Sequence, residues 1–338
     1  MSISSQFSRV SLPDVFKCLA AGVGVGTTVV TPNRRLGLAL KNKFDYYQAT
    51  QKNSVWESAD ILPFSAFIER IYRDALYSIP ITELPVLLTP VQARALWESV
   101  IYGSDEGQLL LAVPQTAKFV HEAWQLVQAW QLFPRFKNFP RNEGGKAFQE
   151  WMRRYEQITK RHHQTDDARV CDLITELYEQ LQIKKIKHLI CYGFDTFTPQ
   201  QISFLEKLVA TGCTVMLSQP VSRDQPRNGS LQRVACVDSR DEIYRAAVWA
   251  RARIEADSTE SVGIVVPALA DYRNAIHRIF GSVMTPNVES ALPGSTPRIT
   301  PFNVSLGIAL TSYPMIDTLF QVLALVGREI EFERASLS

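Results

Sequence analysis

The segment Thr27–Thr31 constrains the fold more than any other part of the chain. Its five residues, Thr-Thr-Val-Val-Thr, are all β-branched. An unbroken run of this kind is typical of a strand that is buried on both faces of a parallel sheet. Asn33 follows in position to cap a helix whose apolar residues recur at helical spacing from Leu36 to Tyr47. A strand that leads directly into a helix predicts an α/β fold.

Strand composition returns after a long interval. The segments His188–Tyr192 and Thr214–Leu217 are apolar and bounded by glycine or polar residues, and Thr198-Pro199 between them is typical of the start of a helix. Ile61-Leu62 is a further short extended piece, and Ser65 is the expected cap of the helix that follows it. We expect the strands at 27–31, 188–192 and 214–217 to lie side by side in one parallel sheet.

Residues 86–185 carry helical patterns one after another, at about 90–102, 114–132, 144–163 and 168–182. Thr89-Pro90 is typical of a helix cap followed by a first-turn proline. The sequence therefore predicts an all-helical block inserted into an α/β domain. Four tryptophans at helical spacing in this block are expected to be core residues: Trp97, Trp124, Trp130 and Trp151. The predicted organisation is a first part of an α/β domain at 1–85, the insertion at 86–185, a second part at 186–222 and a second α/β domain at 231–338.

The second α/β domain is predicted to be incomplete. A linker of low apolar content covers 218–230, and beyond it only the extended segment 231–237 and the apolar run Val262–Val266 have strand composition. Two strands are too few to close the core of a doubly wound sheet. Either this domain is small or the chain is one piece of a longer protein.

Composition excludes several classes of protein. The 338 residues carry 36 basic and 34 acidic side chains, so the net charge of +2 cannot by itself attract nucleic acid, and any such binding must come from local patches. The five cysteines are scattered, which indicates a reducing cytoplasmic environment and argues against a disulfide scaffold or a structural zinc site. The sequence has no apolar run long enough to span a bilayer, so we expect no membrane partner.

The expected motifs of a nucleotide hydrolase and of a nuclease are missing from this sequence. The glycines Gly22, Gly24 and Gly26 precede the first strand, whereas a phosphate loop needs glycines between a strand and the helix after it. Gly145-Lys146 has no strand before it and no Ser or Thr after it. No lysine has Asp or Glu two positions earlier, so the metal-dependent nuclease motif is absent. We expect neither ATP nor magnesium as a cofactor, and no catalytic residue is assigned.

One group of side chains could in principle bind a metal. His162, His163, Asp166 and Asp167 are close in sequence, but they fall where one helix ends and the next begins. Adjacent histidines on a helix point in different directions. We therefore expect a solvated turn in which Asp167 caps the following helix, and no metal site.

Two sets of basic residues are candidates for contact with nucleic-acid phosphates. Arg34 and Arg35, next to Asn33, lie just past the carboxyl end of the first strand, the edge at which open α/β sheets bind ligands. The second set lies opposite the apolar stripe of the helix at 144–163. Its members are Lys146, Arg153, Arg154, Lys160 and Arg161. Such a face could follow a phosphate backbone, and it could equally be an ordinary solvated helix surface.

Several segments together resemble one family. Residues 29–36, Val-Val-Thr-Pro-Asn-Arg-Arg-Leu, are similar to the strand and loop after the ATP site of superfamily 1 helicases. Residues 188–214 contain Gly-Phe-Asp-Thr-Phe-Thr-Pro-Gln, which resembles the Walker B region of the AddB-type subunit of helicase–nucleases. Residues 241–280 and 301–314 resemble the start of that family's second motor domain. The resemblance implies a P-loop-NTPase-like parallel sheet of the superfamily 1 type.

The resemblance also implies that the motor is inactivated. The phosphate loop is absent, and Gly193-Phe194-Asp195 stands where a working Walker B box has two adjacent acids, so Asp195 marks a degenerate position. In such a family the chain would be part of a DNA repair or recombination protein that binds single-stranded or branched DNA and scaffolds a nuclease domain or a helicase subunit. The loop with Arg34 and Arg35 matches the helicase element that contacts single-stranded backbone.

Two other functions stay open at this stage. The chain could be a two-domain α/β enzyme that binds a nucleotide or a nucleotide-sugar in its interdomain cleft, near Asn33 and Asp195. It could also be an interaction scaffold without either ligand, which the near-neutral net charge would suit.

Overall fold

A computed structural model describes residues 7–77 except 23 and 25, and residues 84–133, 142–181, 186–220, 230–286 and 300–327. The chain divides into two compact units, Met1–Pro226 and Arg227–Ser338. The first unit contains a parallel sheet and most of the helices, so the fold is mixed α/β.

The first unit is built on a five-stranded sheet in the order β1-β7-β6-β2-β3, in which every neighbouring pair is parallel. The strands of this unit are β1 (Ser8–Arg9), β2 (Thr27–Thr31), β3 (Ile61–Pro63), β4 (Val86–Leu87), β5 (Gln164–Thr165), β6 (His188–Tyr192) and β7 (Thr214–Ser218). The prediction that the strands at 27–31, 188–192 and 214–217 are neighbours is confirmed, because β2, β6 and β7 are adjacent in this order.

Helices cover both faces of this sheet. The helices of the first unit are α1 (Leu12–Ala20), α2 (Arg34–Thr50), α3 (Phe64–Leu76), α4 (Pro90–Tyr102), α5 (Asp105–Gln108), α6 (Val113–Ala129), α7 (Glu143–Arg161), α8 (Val170–Leu177) and α9 (Pro199–Ala210). Val29 and Ile190 pack with α1 and α2, whereas Val30 and Leu189 pack with α3, α8 and α9. All five residues of β2 are buried as a result, which explains its continuous β-branched sequence.

Helix caps agree with the sequence at three helices and differ at a fourth. The Asn33 side chain accepts a hydrogen bond from Leu36 N at 2.9 Å, and both Thr89 and Thr198 form capping boxes. The prediction that Ser65 caps α3 is wrong. The helix begins at Phe64, directly after the strand residue Pro63, and has no side-chain cap.

The block between α3 and β6 is not all helical, contrary to the prediction. β4 and β5 form a short parallel pair, in which Val86 N donates to His163 O at 2.9 Å and Leu88 N donates to Thr165 O at 2.8 Å. Two strand-like segments at opposite ends of the block can thus pair although neither has a clear strand pattern of its own. The last helix of the block, α8, packs against α3 and α9 on the face of the large sheet.

Aromatic side chains form the core of this block. The Trp97 and Tyr155 rings are stacked, with centroids 3.9 Å apart and planes 1° from parallel. Trp124 and Trp151 are also buried, as predicted. Trp130 differs, because it lies at the end of α6 and is 42% exposed.

The turn after α7 differs from the prediction. Asp166, not Asp167, holds the start of the next helix in place, and its side chain is fully buried. Its carboxylate accepts hydrogen bonds from the Trp124 indole at 3.1 Å and from the Arg169 guanidinium at 3.1 and 3.3 Å. It also accepts from Arg169 N at 3.0 Å, whereas Asp167 bonds with Gln125 and does not cap α8. The turn is solvated at His162, His163 and Asp167, as predicted, but it also contains a buried carboxylate, Asp166, paired with the partly buried Arg169.

The second unit contains helices α10 (Ser239–Ala256), α11 (Leu269–Met284) and α12 (Pro314–Gly327) and a 3-10 turn at Leu310–Ser312. Among the helices in the described part of the chain, none is long and apolar enough to cross a membrane. Ile243 and Ala247 of α10 pack against Ile276 and Phe280 of α11.

The strands predicted for the second unit are absent from its described residues. Val262–Val266 lies in no sheet, and Val265 is 90% exposed. A β-branched run becomes a strand only where a neighbouring strand can accept its backbone hydrogen bonds, and this unit shows no such neighbour in its described ranges. Most of the predicted linker, residues 221–229, lies outside the described residues.

The buried Asp166–Arg169 pair makes a prediction about stability. Replacing Arg169 by Ala leaves the Asp166 carboxylate buried without its counter-ion, and we expect a loss of about 3–5 kcal/mol in the free energy of unfolding. The control is Arg73→Ala, which removes a surface ion pair with Glu69 and should cost no more than about 1 kcal/mol. Urea denaturation measures both. Equal losses for the two variants would contradict a structural role of the pair.

Candidate functional site

The candidate site lies at the carboxyl edge of the parallel sheet, between β2 and β6. From β2 the chain moves outward to β3, and it later returns to β6 on the other side of β2 and continues to β7. The strand order therefore reverses between β2 and β6, and the helices that follow these two strands cover opposite faces. Open α/β sheets bind their ligands in the crevice at such a reversal point, outside the carboxyl ends of the strands.

Three of the predicted site residues follow β2 at this edge. Asn33, Arg34 and Arg35 are all exposed, and the two arginines form the first turn of α2. The backbone here is fixed, because Asn33 caps the helix and the buried Thr31 hydroxyl donates to Asn33 O at 2.9 Å. The arginines are thus carried on a rigid strand–helix junction.

The electrostatics of this junction are unusual. The first turn of α2 contains two arginines and no acid. The first turns of α3, α4, α6 and α9 also lack an acid, but none of them carries a cation. The positive end of a helix dipole disfavours cations, typically by about 0.3–1 kcal/mol each. An anion bound at the junction would relieve this repulsion.

The loop after β6 contacts the same junction. Gly193 has a φ of +76°, and its N–H donates to Ser218 O at 2.9 Å. A Cβ atom at this position would overlap Leu36 Cδ2. The Leu36 side chain therefore packs on Gly193 and joins the start of α2 to the loop. Only glycine combines this φ with so close an approach.

Asp195, the predicted degenerate Walker B position, lies in this loop and is exposed. The preceding Phe194 is buried and stacks on Phe197, with ring centroids 4.7 Å apart. Gln219 Nε2 donates to Phe194 O at 2.8 Å and further fixes the loop. The structure thus brings Asp195 to the same sheet edge as Asn33 and the two arginines.

The predicted basic face of α7 is divided in the structure. Lys146, Lys160 and Arg161 are exposed. Arg154 is used internally, since it donates to Glu150 at 3.0 Å and to Gly103 O at 3.0 Å. Glu150 also receives a hydrogen bond from Arg153 at 3.3 Å, so the acid reduces the charge of two members of the face. These residues belong to the helical block, where α7 packs on α4 and β5.

A cleft of about 480 Å³ lies beside α7 and was not predicted from the sequence. Arg153 and Lys160 line it together with Glu156 and Arg169, which sequence reasoning missed, and with His163, which it had placed in a solvated turn. Partial burial raises the pKa of Glu156, and Arg169 opposes this shift. Spacing along α7 alone could have placed Glu156 near Lys160, but only tertiary packing brings Arg169 to the same cleft.

Potential metal ligands do not converge within the ranges that the structure describes: no three His, Cys, Asp or Glu side chains are placed as a metal site requires. His121 lies 3.7 Å from Asp167, which also accepts a hydrogen bond from Gln125 at 2.7 Å. Burial alone would raise the pKa of Asp167, but the nearby His121 imidazole and the hydrogen bond from Gln125 outweigh it and lower this pKa.

No family model matches the chain, and no curated protein does.

The Gly193–Leu36 contact makes a prediction. Gly193→Ala should lower the free energy of unfolding by about 1–3 kcal/mol, because alanine is strained at positive φ and its Cβ would overlap Leu36. Gly212→Ala is the matched control, since Gly212 has a φ of +92° but open space around it. In thermal denaturation, Gly193→Ala should lower the stability more than Gly212→Ala does. In a Leu36→Ala background, this difference between the two alanine variants should disappear. A difference unaffected by Leu36→Ala would mean that the contact is not the cause.

Proposed function

We propose that this chain binds single-stranded or branched DNA through the phosphate backbone and does so without hydrolysing ATP. In this proposal it is the inactivated, superfamily 1 helicase-like part of a DNA repair or recombination helicase–nuclease. The observation that carries the proposal is the exposed Asn33–Arg34–Arg35 junction at the reversal point of a parallel sheet.

The chemistry of the junction suits a phosphate ligand. Arginine presents a planar fork of donors that matches phosphate oxygens, and the positive end of α2 lies at the same place. Contacts of this kind hold the backbone and do not read bases. Binding at this edge would therefore be independent of sequence and sensitive to salt.

The connection between β2 and α2 supports binding without ATP hydrolysis. β2 ends at Thr31 and α2 begins at Arg34, so only Pro32 and Asn33 link them. The earlier connection, from Arg9 of β1 to Leu12 of α1, is equally short, so neither has the longer glycine-rich turn with which a phosphate loop surrounds phosphates. The Leu36 side chain also packs directly on Gly193, so it fills the space between this glycine and the start of α2.

The proposal includes partners and location. A protein that holds DNA without a motor or a nuclease motif of its own would act beside a nuclease domain or a helicase subunit. A cytoplasmic location follows from the same proposal, and the five scattered cysteines, none paired in a disulfide in the described structure, suit a reducing compartment.

The first test measures the salt dependence of DNA binding. In fluorescence-anisotropy titrations with a labelled single-stranded oligonucleotide, Arg34→Ala/Arg35→Ala should weaken binding. The slope of log K against log salt should also fall by about 1.4, since each single-strand phosphate contact contributes about 0.7. Lys41→Ala/Lys43→Ala is the matched control, because it removes the same charge from α2, about 10 Å or more along the helix from the junction. Equal slopes for the two double variants would reject the junction as the site.

The second test separates the helix cap from the ligand. Asn33→Asp and Asn33→Ser both keep a capping oxygen, so each should retain the stability of the native protein within about 1 kcal/mol. Only Asn33→Asp adds a negative charge beside the proposed phosphate, and it should bind DNA more weakly than Asn33→Ser. Identical affinities for the two variants would show that DNA does not approach Asn33.

A thermal-shift comparison distinguishes DNA binding from the function of a nucleotide-binding enzyme. The proposal expects oligonucleotides to raise the melting temperature and nucleoside triphosphates or nucleotide-sugars to leave it unchanged. Stabilisation by a nucleotide and not by an oligonucleotide would overturn the proposal in favour of the enzyme.

A further inference from the structure

The cleft beside α7 brings together cations from different elements. Arg153 and Lys160 lie seven residues apart on α7, so they are on one face and about 10 Å apart along the helix. Arg169 approaches the cleft from the turn before α8, and His163 from the turn before β5. Glu156 is the one acidic residue among those that line this cleft in the described structure. The lining therefore carries three permanent positive charges and one acidic side chain. Two of these charges also pair with acids outside the lining, Arg153 with Glu150 and Arg169 with Asp166, so Lys160 is the cation of the lining whose ammonium has no acid partner among these contacts.

Arg169 is fixed before any ligand binds. Its side chain is only 21% exposed, and two hydrogen bonds to the Asp166 carboxylate set the direction of the guanidinium. The guanidinium also lies 5.5 Å from the centroid of the Trp124 ring and 5.6 Å from that of Tyr155. A cation held in this way loses little conformational entropy when an anion binds.

We infer that this cleft binds a phosphate group. The inference in its full form rests on the proposed function, according to which this phosphate belongs to the backbone of the bound DNA and the cleft is a contact additional to the β2–α2 junction. Free phosphate shares the same chemistry, and the experiment below separates the two sources. Arg153 and Lys160 contact the anion, Arg169 provides the fixed charge, and the Glu156 carboxylate weakens binding.

Two opposite charge changes in one cleft give the test. Arg153→Gln/Lys160→Gln should flatten the salt slope of single-stranded oligonucleotide binding by about 1.4. Over the roughly tenfold range from about 1 M to about 0.1 M salt, this change of slope corresponds to binding that is about 25-fold weaker at the lower salt concentration. Glu156→Gln should tighten binding about threefold, the effect of removing one unit charge a few ångströms away in a water-like dielectric. A gain of affinity cannot come from misfolding.

The control is Arg94→Gln/Lys118→Gln. It removes two positive charges from exposed positions of the same helical block that do not line the cleft. If the wild type binds DNA and the affinities and salt slopes of the cleft variants equal those of this control, the inference is overturned and the proposed function stands.

Inorganic phosphate identifies the source of the anion. Its effect on the melting temperature is compared with that of sodium chloride at equal ionic strength, in the wild type and in Arg153→Gln/Lys160→Gln. If the wild type binds no oligonucleotide, the proposed function fails. In that case, the cleft is supported as a site for free phosphate if phosphate stabilises the wild type but not Arg153→Gln/Lys160→Gln. If phosphate does not stabilise the wild type either, the cleft is overturned as well.

Discussion

Burial of the parallel sheet between two layers of helices is the constraint on which the first unit depends. A parallel strand presents apolar side chains to both faces, so neither face can be left to water. Val29 and Val30 of β2 meet this demand from opposite sides, one against α1 and α2 and the other against α3, α8 and α9. Because the helices on the two faces must connect to different strands, the strand order reverses between β2 and β6. The reversal point at this sheet edge is thus a consequence of the packing.

Much of the sheet unit could be predicted from the sequence because its signals are local. The β-branched run of β2 and the caps at Asn33, Thr89 and Thr198 each depend on a few adjacent residues, and the placement of Arg34 and Arg35 follows from them. These features need only the strand–helix period and cap chemistry. The same local signals failed at Val262–Val266, where strand composition has no neighbouring strand to pair with.

What could not be predicted depends on residues that are far apart in the chain. Trp124 and Asp166 are 42 positions apart, and their contact turns an apparent surface acid into the centre of a buried cluster. The cleft beside α7 arises in the same way, since Arg169 is held there by that cluster. Sequence spacing identified Arg153 and Lys160 as exposed cations. It could not show that a fixed guanidinium shares their surroundings, because this depends on how the helices of the block pack.

The short β4–β5 pair has a consequence for how this protein can vary. Its hydrogen bonds join Val86 and Leu88, at the entry of the helical block, to His163 and Thr165, near its exit. The polypeptide therefore leaves and re-enters the sheet-bearing part through one narrow neck. Lengthening, shortening or exchanging the helices beyond that pair would leave the strand register untouched, so α4 to α7 form a module that can diverge as long as the packing of α6 against α9 is kept.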